Sequence, residues 1–173
     1  MIQINFGTDY PFSNDIKNFE KYMFATIPCQ AKKQYSFGND NIYILDKQKE
    51  KHIFSMNEIQ TRKEALQIFN SILFNDGYDS LNGKYFSIFI IDFFNENGEY
   101  ELSKLNDLYT YLEKLISNWC IENNRILVIA QHFQQLNRVP HIHIIYTRSR
   151  RKKHNELQNY LLSLDSIREI FIE

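Results

Sequence analysis

From Tyr85 onward the spacing of apolar residues switches between strand and helix periods in an order that few folds accommodate. Tyr85 to Phe94 reads as a buried strand, largely apolar and of strand length, and Asn95-Glu96-Asn97-Gly98 is made of turn residues. Leu105, Leu108, Leu112, Leu115, Ile116 and Trp119 then recur at helical spacing within a stretch from about Ser103 to Asn123. Two further apolar runs follow, Arg125 to Phe133 and Val139 to Tyr146, joined by the short polar connection Gln134 to Arg138. A second helical stripe, Leu157, Tyr160, Leu161 and Leu164, marks a helix from about Lys153 to Leu164, and Glu169-Ile170-Phe171-Ile172 closes the series as a strand. The order β-α-β-β-α-β is that of the split βαβ unit, so the expected class is α+β, an antiparallel sheet with helices on one face.

The middle pair of strands carries the chemistry. Successive side chains of a strand alternate between faces, so His141 and His143 in Pro140-His141-Ile142-His143-Ile144 share one face. Their apolar neighbours mark a buried strand, where a bare imidazole pair needs a metal or a hydrogen bond. His132 ends the preceding strand, and in a hairpin it becomes a cross-strand neighbour of His141. The three imidazoles can then converge on one ion. Directly after this strand Arg148, Arg150, Arg151, Lys152 and Lys153 form a basic run, either a solvated surface or a phosphate-binding element beside a metal.

Upstream of Tyr85 the pattern adds an N-terminal strand and helix. Met1 to Phe6 alternates as a strand does; Gly7 to Ser13 breaks it, and Ser13 or Asn14 can cap a helix striped by Ile16, Phe19 and Met23 and ended by Pro28. Ile42 to Leu45 and His52 to Phe54 suggest a loose hairpin, with His52 an ordinary surface residue. Thr61-Arg62-Lys63-Glu64 matches a capping box ahead of Ala65, Ile68, Phe69, Ile72 and Leu73, and Asn75-Asp76-Gly77 stops that helix.

Composition narrows the function classes. A chain of 173 residues with 43% apolar content is expected to form one domain spanning residues 1–173. No signal-peptide pattern or membrane-length apolar run is present, which predicts a cytoplasmic protein without a membrane partner. Cys29 and Cys120 stand alone, so neither a disulfide framework nor a cysteine zinc site is expected. A net charge of -1 provides no global attraction to nucleic acid, so any such binding must rest on local clusters.

A His-hydrophobic-His pair on an inner strand of a β-α-β-β-α-β core resembles the HUH endonuclease superfamily, which includes rolling-circle replication initiators, single-strand transposases and plasmid mobilisation relaxases. The relaxases are the nearer likeness, because they also use a third histidine on the adjacent strand, as His132 stands here, and a nucleophilic tyrosine after the first strand. The resemblance implies a ferredoxin- or RRM-like palm with an N-terminal strand-helix extension. It implies Mg or Mn at His132, His141 and His143, whereas three imidazoles by themselves favour Zn or Cu. It further implies single-stranded DNA at an origin or hairpin as partner, nicked and rejoined through a phosphotyrosine in plasmid mobilisation or rolling-circle replication. Ile16-Lys17-Asn18-Phe19-Glu20-Lys21-Tyr22-Met23 is similar to the tyrosine-bearing helix, which makes Tyr22 the first candidate nucleophile. Tyr160, inside an apolar stripe that favours a core role, and Tyr10, in the preceding loop, are the others.

Two other classes compete. A histidine-triad nucleotide hydrolase needs a third alternating histidine, and Ile145 holds that position. A non-cleaving single-strand-binding module would use the same sheet with aromatic residues for stacking.

Overall fold

The long apolar runs become the inner strands of one sheet, because a strand covered on both faces has no polar side to present. A computed structural model describes residues 1–12, 19, 40–56, 59–78, 85–134, 138–149 and 155–172. Its strands are β1 (Gln3–Phe6), β2 (Tyr10–Pro11), β3 (Asn41–Leu45), β4 (Lys51–Ser55), β5 (Phe86–Phe94), β6 (Leu127–His132) and β7 (His141–Thr147). The helices among the described residues are α1 (Ile59–Asn75), α2 (Leu102–Glu122), α3 (Glu156–Leu162) and α4 (Asp165–Arg168). The strand order is β1-β5-β7-β6-β3-β4, with β2 also pairing β5, and every strand pair is antiparallel. Every residue of β6 and β7 is buried, as expected for the middle of the sheet. The architecture is an α+β open sheet compatible with a ferredoxin-like palm.

Two cores lie on opposite faces of the sheet. On one, Phe89, Ile91, Phe93, Ile129, Ile142, Ile144 and Tyr146 pack against Leu105, Leu112, Ile116 and Trp119 of α2 and Leu157 and Leu161 of α3. On the other, Ile42, Ile44, Ile88, Val128, Ala130 and Ile145 pack against Ala65, Phe69, Ile72 and Leu73 of α1. The helices of the split βαβ segment thus share one face, but α1 covers part of the other, so the expectation of helices on one face alone is corrected. The apolar stripe of α1 needs a sheet face, and α2 and α3 already occupy the first.

Other boundaries differ for local reasons. Thr61 lies inside α1, which is already helical at Ile59, so Thr61 to Glu64 is not its capping box. α2 ends near the expected place because Asn124 adopts a left-handed conformation (φ 56°). Its amide and that of Arg125 close back on the carbonyls of Ile121 and Cys120 at 3.3 and 2.8 Å, a Schellman ending. The expected final strand shrinks to one parallel bridge between Phe171 and Ile4, because α4 uses the chain up to Arg168. β1, not this segment, pairs with β5. Arg125 ties the start of β6 to α3: its guanidinium forks onto Glu156 at 2.9 and 3.1 Å and reaches the Thr147 carbonyl at 2.8 Å.

Of the helix expected after β1, only Phe19 is among the described residues. It is helical and fully buried, with its ring stacked 4.4 Å from Phe69 on the α1 side of the sheet. No helix among the described residues is long and apolar enough to cross a membrane. Cys120 is buried on α2, as a core residue should be, and Cys29 lies outside the described residues.

Candidate metal centre

The register of the three inner strands sets two rows of side chains side by side on the α1 face. Asn5, Asp92, His141 and His132 form one row, and Ile90, His143, Ala130 and Ile42 form the next. All three histidines therefore project to one side. Ring centroids are 5.0 Å apart for His132 and His141, 4.6 Å for His132 and His143 and 5.2 Å for His141 and His143. One ligand nitrogen from each lies within 4.8 Å of the others.

One hydrogen bond fixes the tautomer of His141. The Val139 carbonyl can only accept, so Nδ1 of His141, 2.9 Å away, carries a proton and leaves Nε2 with its lone pair. That Nε2 lies 3.2 Å from Nδ1 of His132, and both carry lone pairs when the His132 proton sits on its Nε2. Two nitrogens at this separation can each stand about 2.1 Å from a common ion, and a carbonyl behind a ligating imidazole is the usual orienting partner. The donor set fits a divalent metal.

Electrostatics favours the neutral, ligating forms. Burial lowers the His141 pKa to about 4, with the Val139 bond opposing and the Arg138 charge adding. His143 is pushed well below its ordinary value by burial first, then by the other two imidazoles and Arg138. Asp92, across from His141 on β5, has its pKa raised by burial and partly restored by Arg138. It stands beside the ligand cluster rather than within it.

A buried carboxylate anchors the end of β6. Asp40, 2% exposed, accepts from the amides of Phe133 and Gln134 at 3.0 and 3.3 Å, directly after His132. Burial pushes its pKa up to about 7 against those two bonds. Stability from a raised carboxyl pKa is present below the unfolded value and lost as pH rises through about 7. A lowered imidazole pKa acts oppositely, its contribution being full above about 6.5 and lost as pH falls toward about 4. The two groups therefore pull against each other over one interval, each by roughly 3–4 kcal/mol. Asp40→Asn keeps the acceptor but removes the titration, and should steepen the rise of metal-free stability between about pH 4.5 and 6.5. Urea unfolding of both proteins across that range tests it, and parallel stability curves would refute it.

Other expected site residues lie elsewhere. Tyr160 packs against Trp119, 6.2 Å between rings, in the core on the opposite face from the imidazoles, so it is removed as a candidate nucleophile. Tyr10 is 44% exposed and pairs with Ile88, which puts it on the histidine face two residues along β5 from the His143 row. Tyr22 and residues Arg150, Arg151, Lys152 and Lys153 lie outside the described residues. Arg148 is described, and the expectation of a cation beside the metal fails for it. Strand β7 separates Arg148 from His143 by five residues, about 17 Å of extended chain.

The missed residues are Asp92 and Arg138. Asp92 is the one charged side chain in the run Phe86-Ser87-Ile88-Phe89-Ile90-Ile91-Asp92-Phe93-Phe94, an available signal once β5 is paired with β7. Arg138 opens the histidine stretch instead of following it.

A second cluster, Asp46, Glu50 and His52, sits at the β3–β4 hairpin. Its Asp46 carboxylate already accepts from the Glu50 amide at 3.0 Å and lies 3.3 Å from His52 Nε2, so it closes the turn, and His52 is half-buried rather than an ordinary surface residue.

No protein-family model matches this chain, and no match is found among curated proteins or solved structures.

Proposed function

We propose that this chain is a metal-dependent single-stranded DNA endonuclease of the HUH kind, nicking and rejoining through a phosphotyrosine. The observation that carries this reading is the convergence of His132, His141 and His143, with Asp92 alongside, on inner strands of an α+β sheet. A divalent ion held by the three imidazoles would supply charge stabilisation to the scissile phosphate. Arg138, whose charge already acts on Asp92, His141 and His143, adds a permanent cation at the rim.

The attacking group in this reading is the Tyr22 phenol. Tyr22 follows Phe19 by three positions in the sequence, and Phe19 is seated on the histidine side of the sheet. Its oxygen forms a bond to phosphorus as the bond from phosphorus to the 3′ oxygen breaks. The phenol proton passes to Asp92, whose raised pKa suits a general base better than a solvated carboxylate, and the leaving 3′ oxygen takes a proton to become a hydroxyl. Reversal of these transfers rejoins the strand.

The test is incubation of the full chain with Mn, and separately with Mg and Zn, against scanned single-stranded oligonucleotides. The expected result is a covalent protein–DNA adduct on a denaturing gel with a free 3′-hydroxyl product. Single-strand binding without an adduct under any metal would reduce the chain to a non-cleaving binding module.

A further inference from the structure

The imidazoles are enclosed, at 0% to 5% exposure, but one flank of the cluster is open. Phe94 follows Asp92 by two residues on β5, so it shares the histidine face, and it is 44% exposed. The β5–β7 register continues past His141 through the bond from the Phe93 amide to the Pro140 carbonyl at 2.8 Å, and one further step brings Val139, 40% exposed, beside Phe94. Gln3 pairs with Phe94 on its other side, and Asn5 pairs with Asp92. Arg138 is exposed, and among the described residues it has no salt-bridge partner. This flank is an aromatic ring and a branched aliphatic side chain at the lip of an imidazole cluster, with a permanent cation alongside.

Single exposed apolar residues are ordinary, and Phe94 alone would mean little. Its position is what gives it meaning. Diagonal neighbours on adjacent strands lie about 7–8 Å apart, so a ring stacked on Phe94 is within the reach of one nucleotide from a phosphate at the imidazoles. Aromatic side chains stack any base, and a guanidinium binds a phosphate through paired donors.

We infer that Phe94, with Val139 beside it, seats an unpaired nucleobase of a single-stranded nucleic acid, and that Arg138 holds the adjoining phosphate at the mouth of the histidine cluster. This inference rests on the reading of that cluster as a phosphodiester site. It adds a binding subsite, and its test needs neither metal nor cleavage.

The experiment measures binding of a fluorescein-labelled single-stranded DNA to the full chain in EDTA, with an abasic position moved along the strand. For the wild type, one abasic position should weaken binding roughly 5- to 100-fold. Phe94→Ala should weaken binding of the intact strand by a similar factor and erase the abasic penalty at that position, while Phe94→Tyr retains both. That coupling is a readout that general loss of structure would not reproduce. Arg138→Gln should reduce the slope of log affinity against log salt by about 0.7, the loss of one single-strand phosphate contact. An abasic penalty that persists in Phe94→Ala, equal binding of duplex DNA, or a free mononucleotide binding as tightly as the strand would each overturn the inference. Failure to form an adduct with Mn would instead remove the endonuclease reading and leave the coupling between Phe94 and one base intact.

Discussion

Tyr22→Phe should abolish the covalent adduct completely while leaving metal and DNA binding near wild-type values. The substitution removes only a hydroxyl, so it deletes the nucleophile without opening space for a structural explanation. Tyr10→Phe and Tyr160→Phe are the informative companions. Tyr10 lies on the histidine face but on the row of Ile88, beyond the Ile90–His143 row, and Tyr160 is on the opposite face against Trp119. Both variants should form adduct at wild-type rates. A phenol ionises near pH 10, so adduct formation by the wild type should also depend on Asp92, and Asp92→Asn should slow it by roughly 100- to 10,000-fold, the range of general-base contributions. Adduct formation by Tyr22→Phe would end the assignment, and loss in Tyr10→Phe alone would move it to the residue after Asp9.

His143→Gln should lower divalent-metal affinity by more than the roughly 10- to 100-fold that loss of an outer-shell partner costs, because it removes one of three direct donors. The volume is nearly kept, so the site between Ile90 and Ala130 does not collapse. Calorimetric titration with Mn and Zn measures it, with urea unfolding of the metal-free variant as control. His52→Gln, in the hairpin cluster with Asp46 and Glu50, should leave the affinity unchanged. The reverse pattern would shift metal binding to that hairpin.

The histidine arrangement was legible from the sequence because it depends on alternation along one strand and closure of one short hairpin. Both are local properties. The split βαβ order was legible for the same reason, since each long apolar run declares its own period. The side of the sheet chosen by α1 was not legible, since an amphipathic stripe shows that a helix packs but not on which face. Asp92 was passed over because its meaning depends on pairing between β5 and β7. The place of Arg148 was not legible because nearness in sequence is not nearness in space. A strand carries each successive residue away by about 3.3 Å, so Arg148, after β7, departs from the site as surely as Arg138, before it, arrives.

The hairpin also divides the site by the length of chain that must close to build it. His132 and His141 are nine positions apart, a short closure that costs little entropy. Asp92 and Phe94 reach the same place only after β5 crosses over through α2 to let β7 dock between the parallel strands β5 and β6. In the proposed reading, ion capture would therefore be a property of the hairpin, whereas proton transfer and base seating would belong to the assembled sheet. If that reading holds, partial loss of order at the β1–β5 edge would spare metal binding and abolish the seating of a DNA strand against it.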